Sequence, residues 1–146
     1  MKLTVIIDEE RDEEIVLYLK EHKPLEERIK ALMDGVEEPE LIGYDERGAI
    51  RLDPASVSCF SVELGRTVAV VGKKRYRIDK RLYELSALLD GRFIKINQSC
   101  IANIKMIERF DASLGGSLIV IFKDGNRDYI SRRQLKSVKE RIGFKL

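Results

Sequence analysis

The stretch FIKINQSCIANI, residues Phe93–Ile104, guides the interpretation of the whole chain. It consists of two short β-prone apolar runs separated by a polar turn. The polar side chains within it are those of Lys95, Asn97, Gln98, Ser99 and Asn103. Asn and Ser are common in ordinary hairpin turns, which favours a plain turn when this stretch is considered alone. A surface that recognises the hydrogen-bonding groups of another molecule also needs such side chains, so both interpretations stay open here.

The length and composition of the chain are those of one globular domain with a small appendage. The 146 residues include 36% charged residues and no tryptophan, and a chain of this size buries about two-thirds of its unfolded surface. No apolar run approaches the roughly 18 residues that span a bilayer. The N-terminal MKLTVIIDEERDEE becomes acidic after a few apolar residues, unlike a secretory or transit peptide. We therefore expect a cytoplasmic protein.

Residues suited to metal binding or nucleophilic catalysis are scarce. Cys59 and Cys100 are too few and too isolated for a disulfide framework or a zinc site, and we expect both to be small buried apolar residues. His22 is the only histidine and has no Cys or His neighbour. No phosphate-binding loop, dinucleotide fingerprint, zinc-protease motif or nucleophile elbow occurs. The sequence therefore predicts neither an enzyme nor a bound cofactor or metal.

Charge is distributed unevenly along the chain. Residues 1–40 hold six basic and 13 acidic side chains, a net charge of −7, whereas residues 41–146 hold 21 basic and 12 acidic ones, a net charge of +9. Clustered Lys and Arg attract polyanions, because neutralising phosphates releases counterions. The body of the chain therefore suits a phosphate-bearing partner, although a solvated lysine-rich surface would give the same composition.

The acidic N-terminal segment is predicted to be a small β/α extension. Two β-prone runs, Leu3–Ile7 and Ile15–Leu19, predict strands, and the acidic DEERDEE between them predicts a solvated connection. Pro24 suits the first turn of a helix whose apolar residues recur at helical spacing, with Gly35 just past its end. The composition of Val36–Glu40 is typical of a linker. The apolar stripe of this extension needs a partner, either the main body or a second copy of the chain.

Residues 41–146 are predicted to form a β-rich α+β domain rather than a repeating βαβ fold. The β-prone runs outside the opening stretch are Ala49–Leu52, Val57–Val62, Thr67–Val71, Lys73–Ile78, Met106–Phe110, Leu118–Phe122 and Arg127–Ile130. Asp79 is predicted to be the N-cap of a helix over Lys80–Asp90. Asp124–Gly125 gives the strongest hairpin signal in the chain. Strands separate the two helices of this domain, which excludes a helix-turn-helix.

The C-terminal helix gives the clearest physical indication of function. Ser131, with Gln134 three residues later, forms a capping box that starts the helix, and Gly143 ends it. Arg132 and Arg133 occupy the first turn, where the helix dipole disfavours positive charge. An anion bound at this end would relieve that conflict, because helix N-termini bind phosphates readily. Solvent-exposed arginines that destabilise the helix slightly are the competing explanation.

Three landmarks occur together and in order: RLYELSALLDG (Arg81–Gly91), FIKINQSCIANIKMI (Phe93–Ile107) and DGNRDYISRRQLKSVKERI (Asp124–Ile142). The second contains the pattern F-x-x-I-x-x-S-x-x-x-N, and the third contains the S-R-R start of the last helix. These motifs are specific in combination. Over about residues 43–146, the chain resembles the LytTR family of bacterial transcription-factor DNA-binding domains.

This resemblance implies both a fold and a set of DNA contacts. The fold would be an elongated β-sandwich of small antiparallel sheets with short helices, in which loops rather than a recognition helix enter successive major grooves. Gln98 and Arg133 match the base-reading positions, which suits the pairing of Gln with adenine and of Arg with guanine. The other implied contact residues are Asn97, Ser99, Asn103, Lys95 and Arg132 as phosphate or positioning groups, and Arg66 in a third contact loop at Glu63–Arg66.

The chain also departs from the family pattern. Asn97 and Gln98 stand where many members have His, Arg or Lys, and Cys100 stands where a bulkier residue is common. No phosphoacceptor receiver domain precedes the motif, so phosphorylation is not the expected switch. Short members with such a head resemble regulators encoded beside small membrane proteins, which makes a membrane protein a candidate regulator. The family also implies a homodimer on repeated half-sites of double-stranded DNA, and no small-molecule substrate is expected.

Two other functions compete with a DNA-binding regulator. In a protein-interaction module, the acidic extension would dock a partner through the stripe of Leu25, Ile29 and Leu32, and the basic body would be incidental. RNA binding is disfavoured, because exposed aromatic residues for base stacking are few. Tyr76 and Tyr129 are the only aromatic candidates for such stacking, and both are expected to pack inside the domain.

Overall fold

The computed structural model describes residues 1–33, 40–89, 91–113 and 115–145. The chain divides into two compact units, Met1–Glu38 and Pro39–Leu146. The predicted helix stop at Gly35 and most of the linker predicted at Val36–Glu40 lie outside the described residues.

The N-terminal unit contains one helix in its described residues, α1 (Pro24–Met33), which begins at the predicted Pro24. The strands predicted at Leu3–Ile7 and Ile15–Leu19 are absent, since residues 1–23 contain neither helix nor strand. β-Prone residues form strands only where they can pack against neighbours, and an isolated hairpin is marginally stable in water. The large apolar side chains of these two segments are therefore left mostly exposed.

The C-terminal unit contains ten strands and two α-helices in its described residues. The first five strands are β1 (Leu41–Asp45), β2 (Gly48–Leu52), β3 (Cys59–Glu63), β4 (Arg66–Val71) and β5 (Lys74–Arg77). They are followed by α2 (Leu82–Leu88), β6 (Phe93–Asn97), β7 (Cys100–Asn103), β8 (Ile107–Ala112), β9 (Leu118–Phe122), β10 (Arg127–Ile130) and α3 (Arg132–Ile142). The predicted β-rich α+β class is confirmed.

The strands pair into two antiparallel sheets. One has seven strands in the order β2-β1-β5-β4-β3-β7-β6, and the other has three strands in the order β10-β9-β8. Neighbours in sequence are mostly neighbours in a sheet, so tight turns supply most of the connections. The antiparallel pairing that the sequence indicated is therefore present in both sheets.

The seven-stranded sheet buries apolar side chains on both faces where β3, β4 and β7 lie, because successive residues of a strand point to opposite sides. One face packs with α2, and its buried members are Leu41, Val57, Phe60, Ala69, Tyr76, Ile78, Leu85 and Ile101. The other face packs with the three-stranded sheet and α3, and its buried members are Cys59, Val70, Ile96, Cys100, Ala102, Leu118, Val120, Phe122, Ile130 and Val138. This second core is the interior of the sandwich.

Strand β1 has no counterpart among the predicted strands, because its sequence LIGYD contains a glycine and ends in an aspartate. Gly43 is nevertheless suited to its place. A Cβ at this position would lie 2.6 Å from Leu52 Cδ1 and 2.8 Å from Tyr76 Cβ. Glycine in a strand often marks such a close approach. The residue that weakens the sequence signal for this strand is therefore the one that its packing requires.

The predicted N-cap of α2 is wrong. The helix begins at Leu82 with Arg81 at the N-cap, and Arg81 makes no side-chain capping hydrogen bond. The carboxylate of Asp79 instead accepts a hydrogen bond from Arg77 Nη1 at 2.6 Å. A charge-assisted bond of this kind is stronger than an ordinary neutral one, so it competes effectively for the carboxylate.

The β9–β10 turn is the predicted hairpin at Asp124–Gly125, and it is bonded to the β4–β5 turn. Asp124 Oδ2 accepts from Gly72 N at 3.2 Å, Asp124 Oδ1 accepts from Asn126 N at 3.0 Å, and Asn126 Nδ2 donates to the Gly72 carbonyl at 2.7 Å. Partial burial raises the pKa of Asp124, but hydrogen bonds from Asn126, Ser58 and Gly72 outweigh it and lower the pKa overall. The ionised carboxylate therefore helps to join the two sheets.

Replacement of Asp124 by Asn should make folding less sensitive to acid. Asn keeps the turn preference but carries no charge. The folded pKa lies below the unfolded value of about 3.9, so ionised Asp124 stabilises the fold at neutral pH and loses this effect as the pH falls through the folded pKa. We expect Asp124→Asn to lower the free energy of unfolding at pH 7 by on the order of 1 kcal/mol.

Urea unfolding of wild type and variant between pH 7 and pH 2.5 measures this effect. The difference in unfolding free energy should be constant at neutral pH and should shrink once the pH falls below about 4. Glu108→Gln, which removes an exposed carboxylate from β8, is the matched control. A difference for Asp124→Asn that stays the same across the whole pH range would contradict the assignment.

Candidate nucleic-acid interface

The polar turn of the opening stretch joins β6 to β7 and exposes Gln98 and Ser99. Asn97 Oδ1 accepts a hydrogen bond from Ser99 N at 2.8 Å, which fixes the turn from within. The strand register shifts between Lys95 and Asn97, and such bulges reorient neighbouring side chains. Lys95 itself is exposed on β6. The stretch is therefore a tight hairpin whose tip presents an amide and a hydroxyl group to solvent.

Asn97 is a structural residue. Its side chain is only 1% exposed. Asn97 Nδ2 donates to Asp128 Oδ1 at 3.0 Å and to the Tyr129 carbonyl at 2.8 Å, so it bonds the end of β6 to β10. Its hydrogen bonds are made within the fold and it has almost no surface open to solvent, so the structure does not support the role of Asn97 as a phosphate or positioning group for DNA, which stays a prediction.

Asn103 is buried in the same way, at 2% exposure, and its predicted contact with DNA likewise stays a prediction. Its Nδ2 donates to the Val57 carbonyl at 2.9 Å, and its Oδ1 accepts from Lys105 N at 3.1 Å, which caps a single 3-10 turn at Ile104–Met106. Polar side chains inside a domain are almost always hydrogen-bonded in this way. Asn97 and Asn103 both stabilise the fold, because each forms hydrogen bonds with backbone groups.

The start of α3 is fixed to β6. Ser131 caps the helix as predicted, and its Oγ accepts from Gln134 N at 3.3 Å. The capping box is incomplete, because Ser131 N donates to the Ile96 carbonyl at 2.9 Å and not to the Gln134 side chain. Gly143 ends the helix in the left-handed conformation, as predicted. The backbone bond to Ile96 holds the first turn of α3 beside the end of β6.

The first turn of α3 presents Arg132 and Arg133 to solvent and contains no acidic residue. Neither arginine forms a salt bridge within the part of the chain that the structure describes. Positive charge at a helix N-terminus is unfavourable by a few tenths of a kcal/mol up to about 1 kcal/mol. The conflict that the sequence predicted is therefore present and is not relieved by a neighbouring carboxylate.

The β3–β4 turn lies beside the β6–β7 turn, because Val62 N donates to the Ser99 carbonyl at 2.9 Å. Its two central residues have positive φ, Leu64 at 51° and Gly65 at 74°. Leu64 is completely exposed at the tip, and Arg66 is exposed where β4 begins. Leucine is an unusual residue in this conformation, which Gly, Asn and Asp adopt more easily. The sequence pattern assigns this leucine no role, and its unusual conformation is visible only in the structure.

Two backbone hydrogen bonds thus connect the β6–β7 hairpin with the start of α3 and with the β3–β4 turn. The bond from Ser131 to Ile96 connects the start of α3 with the β6–β7 hairpin, and the bond from Val62 to Ser99 connects the β3–β4 turn with the same hairpin. We call their exposed predicted site residues the three-loop face, which consists of Arg66, Lys95, Gln98, Ser99, Arg132 and Arg133. Six of the eight predicted site residues are therefore exposed on or beside these connected segments: Gln98 and Ser99 in the β6–β7 turn, Lys95 on β6, Arg66 at the start of β4, and Arg132 and Arg133 in the first turn of α3. Four of the six are cations.

The exposed aromatic residues differ in part from expectation. Tyr76 is buried, as predicted, but Tyr129 is 48% exposed on the edge strand β10. A tyrosine can stay half exposed at a sheet edge because its hydroxyl group keeps contact with water. Tyr83 on α2 is also exposed. These two tyrosines lie on separate elements, α2 and β10.

The cysteines behave as the sequence predicted. Cys59 and Cys100 are free and buried in the core between the two sheets. A hydrogen bond with Cys59, together with burial, raises the pKa of Cys100 far above its ordinary value. A thiol in this environment is a poor nucleophile, because the thiolate is the reactive form.

Within the described residues, no helix is both long and apolar enough to cross a bilayer.

Comparison with known proteins identifies the family and the relatives that this chain resembles. The LytTr DNA-binding domain family matches residues 47–143, well over half of the chain. Two uncharacterized HTH-type transcriptional regulators of Staphylococcus aureus, from strains MSSA476 and MW2, are each 29% identical over 149 residues, which cover 99% of this chain and 99% of each relative. A solved LytTr DNA-binding domain from Bacillus cereus aligns with a TM-score of 0.69 at 17% identity, covering 74% of this chain and all of that one.

The fold and these matches define a β-rich DNA-binding domain that presents polar loops. Within that class, the chain belongs to the LytTr DNA-binding domain family, so the resemblance found in the sequence motifs is confirmed. The Staphylococcus relatives carry a helix-turn-helix designation, but five strands separate α2 from α3 here. In the described part of the C-terminal unit, no two helices are joined by a short turn, as the sequence predicted.

The distinction between structural Asn97 and exposed Gln98 can be tested by stability. Asn97→Ala removes the hydrogen bonds to Asp128, the Tyr129 carbonyl and the Ser99 amide and should lower the unfolding free energy by about 1–3 kcal/mol. Gln98→Ala removes an exposed side chain and should change it by less than about 0.5 kcal/mol. Urea denaturation followed by circular dichroism measures both variants. Equal stability of the two variants would refute the structural role of Asn97.

Proposed function

We propose that this chain is a transcriptional regulator that reads specific DNA sequences in the major groove through loops. The observation that carries the proposal is the three-loop face, where exposed Gln98 in the β6–β7 turn and exposed Arg133 in the first turn of α3 lie on elements joined by the bond from Ser131 to Ile96. The bond restrains the backbone from which both side chains project, so less backbone freedom is lost when they bind.

The residue types on the three-loop face suit the chemistry of the groove. Gln98 can pair with adenine through two hydrogen bonds, and Arg133 can do the same with O6 and N7 of guanine. Arg66, Lys95, Ser99 and Arg132 are proposed to hold backbone phosphates, which position a protein without reading sequence. A phosphate near Arg132 and Arg133 would also relieve their conflict with the dipole of α3.

We further propose that the protein binds repeated half-sites as a dimer and that the N-terminal unit provides the contact between copies. The support is the apolar surface of that unit. Its largest exposed apolar side chains, each more than 70% accessible, are those of Met1, Leu3, Val5, Ile6, Ile7, Tyr18 and Leu32. Large apolar side chains exposed in this number on a small unit suit an association surface.

The alternative function is a protein-interaction module, and the same apolar residues are the observation that favours it. In this case the acidic N-terminal unit would bind another protein, for which a small membrane protein that restrains the regulator is the candidate. The two functions are compatible in one molecule. They differ in whether purified protein alone recognises DNA.

Selection of genomic fragments with purified protein tests the DNA-binding proposal. Wild type should enrich a recurring sequence motif, and Gln98→Ala should alter the preference within it. Arg133→Ala should abolish enrichment, and Arg133→Lys should keep general affinity while losing guanine preference, because lysine lacks the planar two-donor fork. Lys123→Ala, which removes an exposed cation beside the distant β9–β10 turn, is the matched control. The absence of any enrichment by wild type at moderate salt would refute the proposal.

The dimer proposal has its own test. Sedimentation analysis should find dimers of wild type, and Ile6→Glu or Leu32→Glu should shift the distribution towards monomers, because a charge is costly to bury in an apolar interface. Ile50→Glu, at an exposed apolar position on β2 of the C-terminal unit, is the matched control and should leave the dimer intact. Dissociation by Ile50→Glu alone would assign the association surface to the C-terminal unit and refute the proposal.

A further inference from the structure

An open cleft lies beside the three-loop face. It has a volume of about 460 Å³, and its lining consists of Gly65, Arg66, Thr67, Arg77, Ile78, Asp79, Lys80, Arg81 and Glu84. Four of these residues are cations and two are carboxylates. The cleft contains the first residue of β4, the last residue of β5 and the segment that leads into α2.

The segment Ile78–Arg81 is fixed at the same end of the β4–β5 hairpin as Arg66. Ile78 N donates to the Thr67 carbonyl at 2.9 Å, and Val68 pairs with Arg77 across the two strands. The side chain of Ile78 is buried, which anchors the backbone from which Lys80 and Arg81 project. The opposite end of the hairpin carries Lys73 and Lys74, because Val71 pairs with Lys74.

Two of the cleft's charges largely cancel. Arg77 donates to Asp79 Oδ1 at 2.6 Å, and its guanidinium group also lies 4.8 Å from the centre of the Tyr44 ring. Within the described residues, Arg66, Lys80 and Arg81 form no salt bridge. They are all exposed, and Glu84 is the remaining carboxylate of the lining. The cleft therefore keeps a surplus of unpaired positive charge.

We propose that this cleft binds backbone phosphates of the DNA that flanks the sequence read by the three-loop face. The inference rests on the proposed function and extends its footprint, since the cleft begins at Arg66 and continues along Lys80 and Arg81. Lysine and arginine side chains around an open cleft neutralise phosphates without distinguishing bases. The binding groups are side chains, because α2 has only seven residues and its N-cap Arg81 makes no capping hydrogen bond.

The test compares two double variants that each remove two exposed cations from one end of the same hairpin. Lys80→Ala/Arg81→Ala changes the cleft, and Lys73→Ala/Lys74→Ala is the matched control at the other end. Fluorescence anisotropy gives the Kd for the duplex selected by wild type and for a scrambled duplex of equal length, at several salt concentrations. Melting temperatures verify that both variants stay folded.

The cleft variant should bind both duplexes more weakly, by similar factors. The plot of log affinity against log salt concentration should become less steep. The magnitude of its slope should fall by about 2, that is by about one for each lost phosphate contact. The ratio of specific to scrambled affinity should stay as in wild type, and the control variant should retain the wild-type slope. Shortening the duplex flank should weaken wild-type binding and leave the cleft variant almost unchanged.

Two results would overturn the inference. One is a cleft variant with the affinity and salt slope of wild type, and the other is a loss confined to the selected duplex, which would indicate base reading. Failure of the proposed function is distinguishable, because wild type itself would then bind the selected and scrambled duplexes equally. The comparison of slopes on the scrambled duplex would still decide whether the cleft binds phosphates.

Discussion

The buried side chain of Asn97 is the constraint on which the candidate site depends. It accepts a hydrogen bond from the β6–β7 turn and donates two to β10, so one amide fixes the turn and attaches it to the strand that leads into α3. A buried amide with all of these bonds made is stabilising, whereas one with a missing partner is costly. This all-or-none character explains how exposed Gln98 can be held in place by the buried residue that precedes it.

Sequence patterns predicted where turns and helix ends occur better than they predicted which side chains are buried. Hairpins and both ends of α3 follow from local chemistry: Asp124–Gly125 makes a tight turn, Ser131 caps and Gly143 terminates. Which polar residues of the opening stretch face solvent depends on β10, which lies about 30 residues further along the chain. Sequence spacing therefore grouped Asn97 with Gln98, and only tertiary contacts separate them. Strand β1 was missed for a related reason, because the glycine that its packing needs weakens its local signal.

The N-terminal unit shows the opposite limit. Its apolar runs have strand propensity, but propensity records how well a side chain fits a pleated, half-buried surface. Residues 1–23 contain no strand, and their apolar side chains stay mostly exposed. The need of this extension for a partner stays a prediction, since the single chain shows only that these side chains are exposed. The two predicted strands could form there only against another strand or surface that buries one of their faces. A strand in this segment therefore cannot be predicted without knowing what it pairs with.

The distribution of carboxylates explains why net charge alone could not locate the candidate site. Several exposed cations of the C-terminal unit have an acidic partner nearby, as in the pairs Arg75–Glu63, Arg77–Asp79 and Arg109–Asp111. A paired cation attracts a phosphate less, because its field is already partly cancelled. No such partner is found among the described residues for Arg132 and Arg133 at the start of α3 or for Lys80 and Arg81 in the cleft. Electrostatic attraction is therefore set by which carboxylates are already engaged, and that information lies in the fold and not in the composition.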